Sequence, residues 1–214
     1  MTTKLLLLRH GESVANAQKI FASHLSYPLT EKGHEQAELT AQFLKNEKID
    51  CIYSSDLPRA METAEHIARY HSLQIRTHTG LREVFAGQWE GITFPEIARL
   101  YPADFTVWLE NIGLCCPTGG ESIAALQQRG ICTIAEIVRE NPGKTVCVST
   151  HATFLRAMQC YWEAKPLEAM KDVPWAANAS ILSVCYEEDL SFHDFHTGEH
   201  SHLGKDFVTV PVHR

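Results

Sequence analysis

The chain has no long apolar run. Its uncharged hydrophobic stretches fall far short of the ~20 residues that a membrane-spanning helix needs, and the leucines after Lys4 are too few for a signal-peptide core. No membrane partner is expected, and the expected location is cytoplasmic. The chain also lacks any C-x-x-C pair. Its seven cysteines are an odd number without framework spacing, so reduced, mostly buried thiols are expected instead of a disulfide scaffold. The adjacent Cys115 and Cys116 take the same reading. No block of lysine or arginine and no basic-aromatic interleaving occurs, and the formal net charge is -7, which argues against nucleic acid or an acidic membrane as partner. Any anion site must therefore be a local concentration of positive charge. Low-complexity linkers and fixed-period repeats are absent as well.

What remains is ordinary for one globular domain: 214 residues, 44% hydrophobic and 21% charged. The expectation is a single domain over 1–214 with an insertion at about 80–120 that shapes a pocket. Short apolar runs alternate with helical patterns. Strands are expected at 5–8, 49–53, 73–77, 145–149, 180–186 and 190–196, the last two forming a hairpin-like end. Helices are expected at 30–46 with Thr30 as N-cap, at 58–70 with Pro58 near the start, at 122–140 and at 152–162. Between Gly80 and Gly120 the pattern loosens into helical pieces around 95–101 and 105–110. Such alternation predicts an α/β layered fold with a mainly parallel sheet and edge strands late in the chain.

In such sheets ligands bind beyond the carboxyl ends of the strands. Three of these strands end on polar residues. LLLL runs into Arg9-His10-Gly11, IDCIYSS runs out toward Arg59 at the start of a helix, and TVCVST ends in His151. Parallel pairing would bring two histidines and two arginines to one sheet edge. Paired guanidiniums suit a phosphoryl group, because their planar forks donate in pairs to its oxygens and keep their charge. Other phosphate chemistries leave no trace: G-x-x-x-x-G-K-[ST] and G-x-S-x-G are absent, and no cysteine has an arginine six residues on. One metal pattern does occur, since His196-Thr-Gly-Glu199-His200 fits H-x-x-E-H. It follows a strand-like segment and contains Gly198, so a turn is expected there instead of the helix face that zinc ligation in this motif requires.

The stretch Leu8-Arg9-His10-Gly11-Glu12-Ser13 resembles the R-H-G-[ET/ES] signature of the histidine phosphatase superfamily, which includes the cofactor-dependent phosphoglycerate mutases. The likeness covers nearly the whole chain, through PLTEKG at 28–33, YSSDLPRAMETA at 53–64, LREVFAGQWEG at 81–91, GGES at 119–122 and VSTH at 148–151. It implies a phosphoglycerate mutase-like three-layer α/β/α sandwich. It also implies His10 as the phosphorylated nucleophile, Arg9, Arg59 and His151 around the phosphoryl oxygens, Asn16 as a further hydrogen-bonding group and Glu83 as proton donor. Without the resemblance, Glu12 and Glu90 would rival Glu83, and Asn16 would read as a cap.

By the same chemistry His10 attacks phosphorus as a neutral imidazole, and a protonated His151 joins the two arginines in meeting the charge of the transition state. No metal or other cofactor is then expected. A mutase needs extra cations for a second anionic group, yet Arg99 is the sole basic residue between Glu83 and Gln128. The E-x-x-x-G-x-W-E-G form resembles the broad-specificity and alpha-ribazole-type phosphatase branches, so hydrolysis is expected, with mutase chemistry or a weakly active regulatory module as alternatives. Phe85, Trp89, Phe94 and Trp108 are candidates for the wall of a leaving-group pocket or, equally, for plain core. Ala152 and Thr153 stand where the family often has glycine. The partners expected are a small phosphorylated substrate and, at most, a second copy of the chain as a homodimer.

Overall fold

The leucine run sets the architecture. In the computed structural model, which describes residues 1–210, β1 (Thr3–Arg9) occupies the interior of a six-stranded sheet, and Leu5 to Leu8 are all buried. Side chains alternate across a strand. Leu5 and Leu7 accordingly enter one apolar cluster while Leu6 and Leu8 enter another on the opposite face. A strand covered on both faces can be leucine throughout, and each buried leucine stabilises the fold by about 1.5–3 kcal/mol.

A short helix, α1 (Val14–Ala17), follows β1 and is capped by Ser13. Then come α2 (Glu31–Leu44), β2 (Cys51–Ser54), α3 (Pro58–His71) and β3 (Ile75–Thr77). The Thr30 hydroxyl accepts from the Gly33 N–H, which fixes the start of α2, and Pro58 opens α3 where no N–H is needed. The 80–120 segment contains α4 (Phe94–Leu100) and α5 (Pro102–Glu110) among short 3-10 turns. It is followed by α6 (Ile123–Glu140), β4 (Thr145–Thr150), α7 (Ala152–Trp162), a 3-10 segment over Leu167–Asp172, and the hairpin of β5 (Ile181–Tyr186) and β6 (Phe192–Glu199).

The strand order is β3-β2-β4-β1-β5-β6. The first four run parallel, β5 is antiparallel to β1, and β6 is antiparallel to β5. Helices α2 and α3 pack against Leu6, Leu8, Ile52 and Cys147 on one face, and α6 and α7 against Leu5, Leu7, Val146 and Val148 on the other. This is the three-layer α/β/α sandwich with a mostly parallel sheet. The antiparallel strand lies one place in from the edge, which β6 occupies. The H-x-x-E-H stretch is not on a turn: β6 continues through Gly198 to Glu199, with Gly198 at φ 75°. Among the described residues no helix is long and apolar enough to cross a membrane.

One backbone crossing positions the phosphate loop. Gly11 and Gly33 meet so closely that a Cβ at Gly11 would lie 2.4 Å from the Gly33 carbonyl oxygen, and one at Gly33 would lie 2.0 Å from the Glu12 carbonyl oxygen. Neither neighbour is a side chain that could turn aside. Gly33→Ala is therefore expected to destabilise the protein by about 1–3 kcal/mol, read as a lower denaturant midpoint; an unchanged midpoint would show that the crossing can relax.

Candidate active site

The register of β1 against β4 assembles the centre. Arg9 is paired with Thr150, so the residues that follow, His10 and His151, leave the sheet side by side. Their rings lie 5.1 Å apart, centroid to centroid, at 62°. On the other side of β4, β2 ends at Ser54, and the turn into α3 delivers Ser55 and Arg59. The Ser55 hydroxyl lies 2.9 Å from His151 Nε2, and Arg59 Nε lies 3.3 Å from His10 Nε2.

His10 Nδ1 is 2.7 Å from its neighbour's carbonyl, Gly11 O, which can only accept. The proton therefore sits on Nδ1, and Nε2 presents a lone pair toward Arg59. Burial first, then the charges of Arg59 and Arg9, hold the His10 pKa well below the ordinary imidazole range. The ring is neutral, as a nucleophile requires.

Both guanidiniums are buried, and among the described residues neither has a carboxylate ion-pair partner. They are held by carbonyls: Arg9 Nη1 donates to Ala176 O at 2.7 Å, and Arg59 donates to Ser23 O at 2.7 Å and Leu25 O at 3.2 Å. Arg9 Nε has no partner among the described residues. Burial lowers each pKa to about 10, which leaves both charged at neutral pH. His151, fully buried at the N-cap of α7, is also held well below the ordinary imidazole range, by burial and then by Arg59. In the free site, burial, and then the charge of Arg59, hold His151 neutral; the protonated form expected from the sequence belongs to the transition state. The Nδ1 of His151 has no partner among the described residues.

Glu83 approaches from the loop after Leu81. Its carboxylate accepts from the N–H groups of Val84 (2.9 Å), Thr153 (3.1 Å) and Phe154 (3.2 Å), so it sits on the first turn of α7, next to His151 in sequence. Asn16 closes the near side. Its Oδ1 accepts from Ser13 N and Asn178 Nδ2, which leaves its Nδ2 to donate to a ligand. All these groups except His151 line one cavity of about 310 Å³, together with Glu12, Lys19, Phe21, Phe94, Trp108, Ala152, Thr153 and Trp175.

Of the candidates for the aromatic wall, Phe94 and Trp108 do line the cavity. Trp89 is fully buried core, and Phe85 lies outside the lining. The rivals to Glu83 are engaged elsewhere: Glu90 accepts from His24 N at 2.8 Å, and Glu12 accepts from the Thr30 hydroxyl at 3.0 Å while keeping a place in the wall.

Three contributors had no sequence signal. Asn178 is buried and donates to the His10 carbonyl at 3.0 Å, bracing His10 from the loop before β5. Arg129, on α6, donates to the carbonyls of Gly80 (2.7 Å), Arg82 (3.1 Å) and Glu83 (3.3 Å) while paired with Glu121 at 2.8 Å. Arg82 is in turn paired with Asp56 on the loop that carries Arg59. Each acts through contacts between segments far apart in the chain, which no local pattern records.

The two buried neutral histidines make stability depend on pH. Each has its folded pKa depressed below 6.5, so below pH 6.5 the unfolded chain binds protons that the native site refuses. Their contribution is complete above pH 6.5 and falls away as pH drops toward the folded values, by up to about 1.4 kcal/mol per pH unit for each ring. Denaturant midpoints at pH 7.5 and pH 5 are expected to diverge less in His151→Gln than in the wild type. An equal loss in the two proteins would contradict the neutral assignment.

Comparison with known proteins agrees with this geometry. The family model described as histidine phosphatase superfamily (branch 1) matches residues 5–193. Phosphoserine phosphatase 1 of Hydrogenobacter thermophilus is 36% identical over 157 residues, 73% of this chain and 74% of that protein. The adenosylcobalamin/alpha-ribazole phosphatase of Escherichia coli is 29% identical over 167 residues, 78% of this chain and 82% of that protein. The solved structure of Bacillus stearothermophilus YhfR superposes with a TM-score of 0.90 at 31% identity, covering 94% of this chain and 100% of that one. With His10 and both buried arginines lining one cavity and His151 packed against His10, the chain belongs to the histidine phosphatase superfamily.

Proposed function

We propose that this phosphatase hydrolyses small phosphomonoesters without a metal ion, through a phosphohistidine formed on His10 Nε2. The observation that carries the reading is the lone pair of a neutral, buried imidazole set between two guanidiniums that lack carboxylate partners among the described residues. In the first step Nε2 attacks phosphorus in line with the ester oxygen, the N–P bond forms and the P–O bond to the leaving group breaks. Arg9 and Arg59 donate to the phosphoryl oxygens throughout, with Asn16 Nδ2 and the unpartnered His151 Nδ1, so that charge is met where it develops. A bound phosphate dianion supplies the counter-charge that the free site lacks and draws His151 toward its protonated form. Glu83 gives its proton to the departing alkoxide. It then takes one from water, which attacks phosphorus and frees His10 and inorganic phosphate.

Hydrolysis is favoured over phosphoryl transfer between hydroxyls because the cavity offers few further cations. Among the described residues, Lys19 is the added cation in the lining beyond Arg9 and Arg59, and Arg99 lies exposed on α4 outside it. The aromatic side of the cavity, formed by Phe21, Phe94, Trp108 and Trp175, suits a leaving group with apolar or ring surface. The substrates named in the relatives' descriptions, phosphoserine and alpha-ribazole phosphate, are the first members of a panel to test.

With an aryl phosphate in excess chelator, His10→Ala is expected to lose activity on the order of a thousandfold or more, and alkaline quench of the wild type should trap a phosphoenzyme that is acid-labile and alkali-stable. Equal rates for the two proteins, or activity abolished by chelator, would refute the mechanism. With a phosphoglycerate, phosphate release should exceed isomerisation; the reverse would favour the mutase reading.

Arg129 is expected to act as a positioning residue for Glu83. Displacing a catalytic group by about 1 Å costs on the order of a hundredfold in rate, so Arg129→Met should lower kcat with little change in KM and should alter the pH–rate profile on the limb that reports the proton donor. Arg129→Lys should recover only part of it, since one ammonium cannot serve three carbonyls and Glu121. A change in KM alone would assign Arg129 a different role.

A further inference from the structure

The β5–β6 ladder carries a group of donors that the phosphatase chemistry does not use. Cys185 on β5 stands directly opposite His193 on β6, so their side chains share a face. That face is the one bearing α2 and α3, because Cys185 also pairs with Lys4 of β1, next to Leu5 in the alternation, and Lys4 reaches Glu47 just beyond the end of α2 at 3.7 Å. Regular alternation would send Asp194 to the opposite face. It does not, because β6 carries an extra residue here: Ser183 pairs with His196 while Cys185 pairs with His193, two steps against three. Phe192 and Phe195, three apart, consequently both pack into the same apolar cluster on the far face. The surplus is taken up with Asp194 in the left-handed region at φ 51°, a conformation unusual for a non-glycine residue. The bulge brings Asp194 Oδ2 to 3.1 Å from His193 Nδ1.

Three different donor types thus converge. A Cys185 sulfur, a His193 ring nitrogen and an Asp194 carboxylate oxygen all lie within 4.8 Å of one another. The other ring nitrogen, His193 Nε2, lies 3.0 Å from Glu187 Oε1, and Glu187 is itself held by the Thr2 hydroxyl at 2.7 Å. A ring set between two carboxylates can donate from both nitrogens only as an imidazolium. A cation that takes the Nδ1 proton's place leaves Nε2–H donating to Glu187, the carboxylate–histidine–metal arrangement that fixes the ring and strengthens it as a ligand. Cys185 is partly buried, and a sulfur, nitrogen and oxygen set suits a borderline divalent ion such as zinc with one position left for water.

We propose that Cys185, His193 and Asp194 form a binding site for a divalent ion of the zinc type, supported by Glu187 and separate from the phosphoryl centre. The two are at opposite ends of the parallel strands, since five residue steps along β1 separate Lys4, beside Cys185, from Arg9, roughly 16 Å along the strand. The nearby H-x-x-E-H stretch plays no part.

The test is titration of the whole chain, stripped by chelator, with Co²⁺ and Zn²⁺. Co²⁺ is expected to give a near-ultraviolet thiolate-to-cobalt band at one equivalent, absent in Cys185→Ser but present in Cys116→Ser and Cys132→Ser, the variants at the two exposed thiols. Zinc affinity should fall at least tenfold in His193→Gln and roughly tenfold in the supporting variant Glu187→Gln, with phosphatase activity unchanged in both. A thiolate band that survives in Cys185→Ser, no band in any protein, or zinc affinity equal in wild type and His193→Gln would each overturn the proposal.

Discussion

Two guanidiniums buried beside one another without a carboxylate partner among the described residues are the constraint around which this fold is arranged. Like charges in a low-dielectric cavity repel, and burial removes the water that would screen them. Backbone carbonyls do what carboxylates would otherwise do: Ala176 for Arg9, Ser23 and Leu25 for Arg59. Dipoles offset part of the desolvation cost while leaving the net charge of the cavity positive. A carboxylate in either place would neutralise the site and occupy the position of its ligand. Burial first, and then the same field, keep His10 and His151 neutral.

That arrangement depends on loops being held where they can present carbonyls, and several parts of the molecule are explained by it. The Ser23 hydroxyl donates to Val84 O and accepts from Ala86 N, tying the loop that faces Arg59 to the loop that carries Glu83. Arg129 gathers three further carbonyls of the latter loop. On the far side Arg156, buried in α7, donates to the carbonyls of Met170 and Val173 and stacks on Trp175 with its guanidinium carbon 3.9 Å from the ring centroid. That contact supports the segment that ends in Ala176, the partner of Arg9. Each of these cations therefore organises a stretch of backbone that lies outside the strands and the α-helices.

Much of the frame was legible because it rests on local periodicity. Four consecutive leucines can be buried together only where both faces are covered, and the strand at 5–8 duly lies inside the sheet. The caps at Thr30 and Pro58 mark helix starts because they satisfy or avoid N–H groups that a first turn cannot pair. The site residues Arg9, His10, Arg59 and His151 could be placed together because parallel strands deliver their ends to one edge. The details that escaped are those in which one segment overrules another. Trp89 reads like Trp108 in sequence, yet one is core and the other faces the cavity. The end of β6 reads as a turn at Gly198, but Glu199 still pairs with Ile181 of β5, so the strand continues through an irregularity at the glycine.

The sequence by itself determined which segments become strands and helices, and that cationic and imidazole side chains stand at the strand ends, because spacing and capping act over a few residues. Only the tertiary structure decided the protonation of His151, the anchoring of Glu83 by α7 and Arg129, and the braces at Asn178 and Asp56. Those depend on which charges and carbonyls lie within a few ångströms across distant parts of the chain, and electrostatic energy follows that separation in space and not the distance along the sequence.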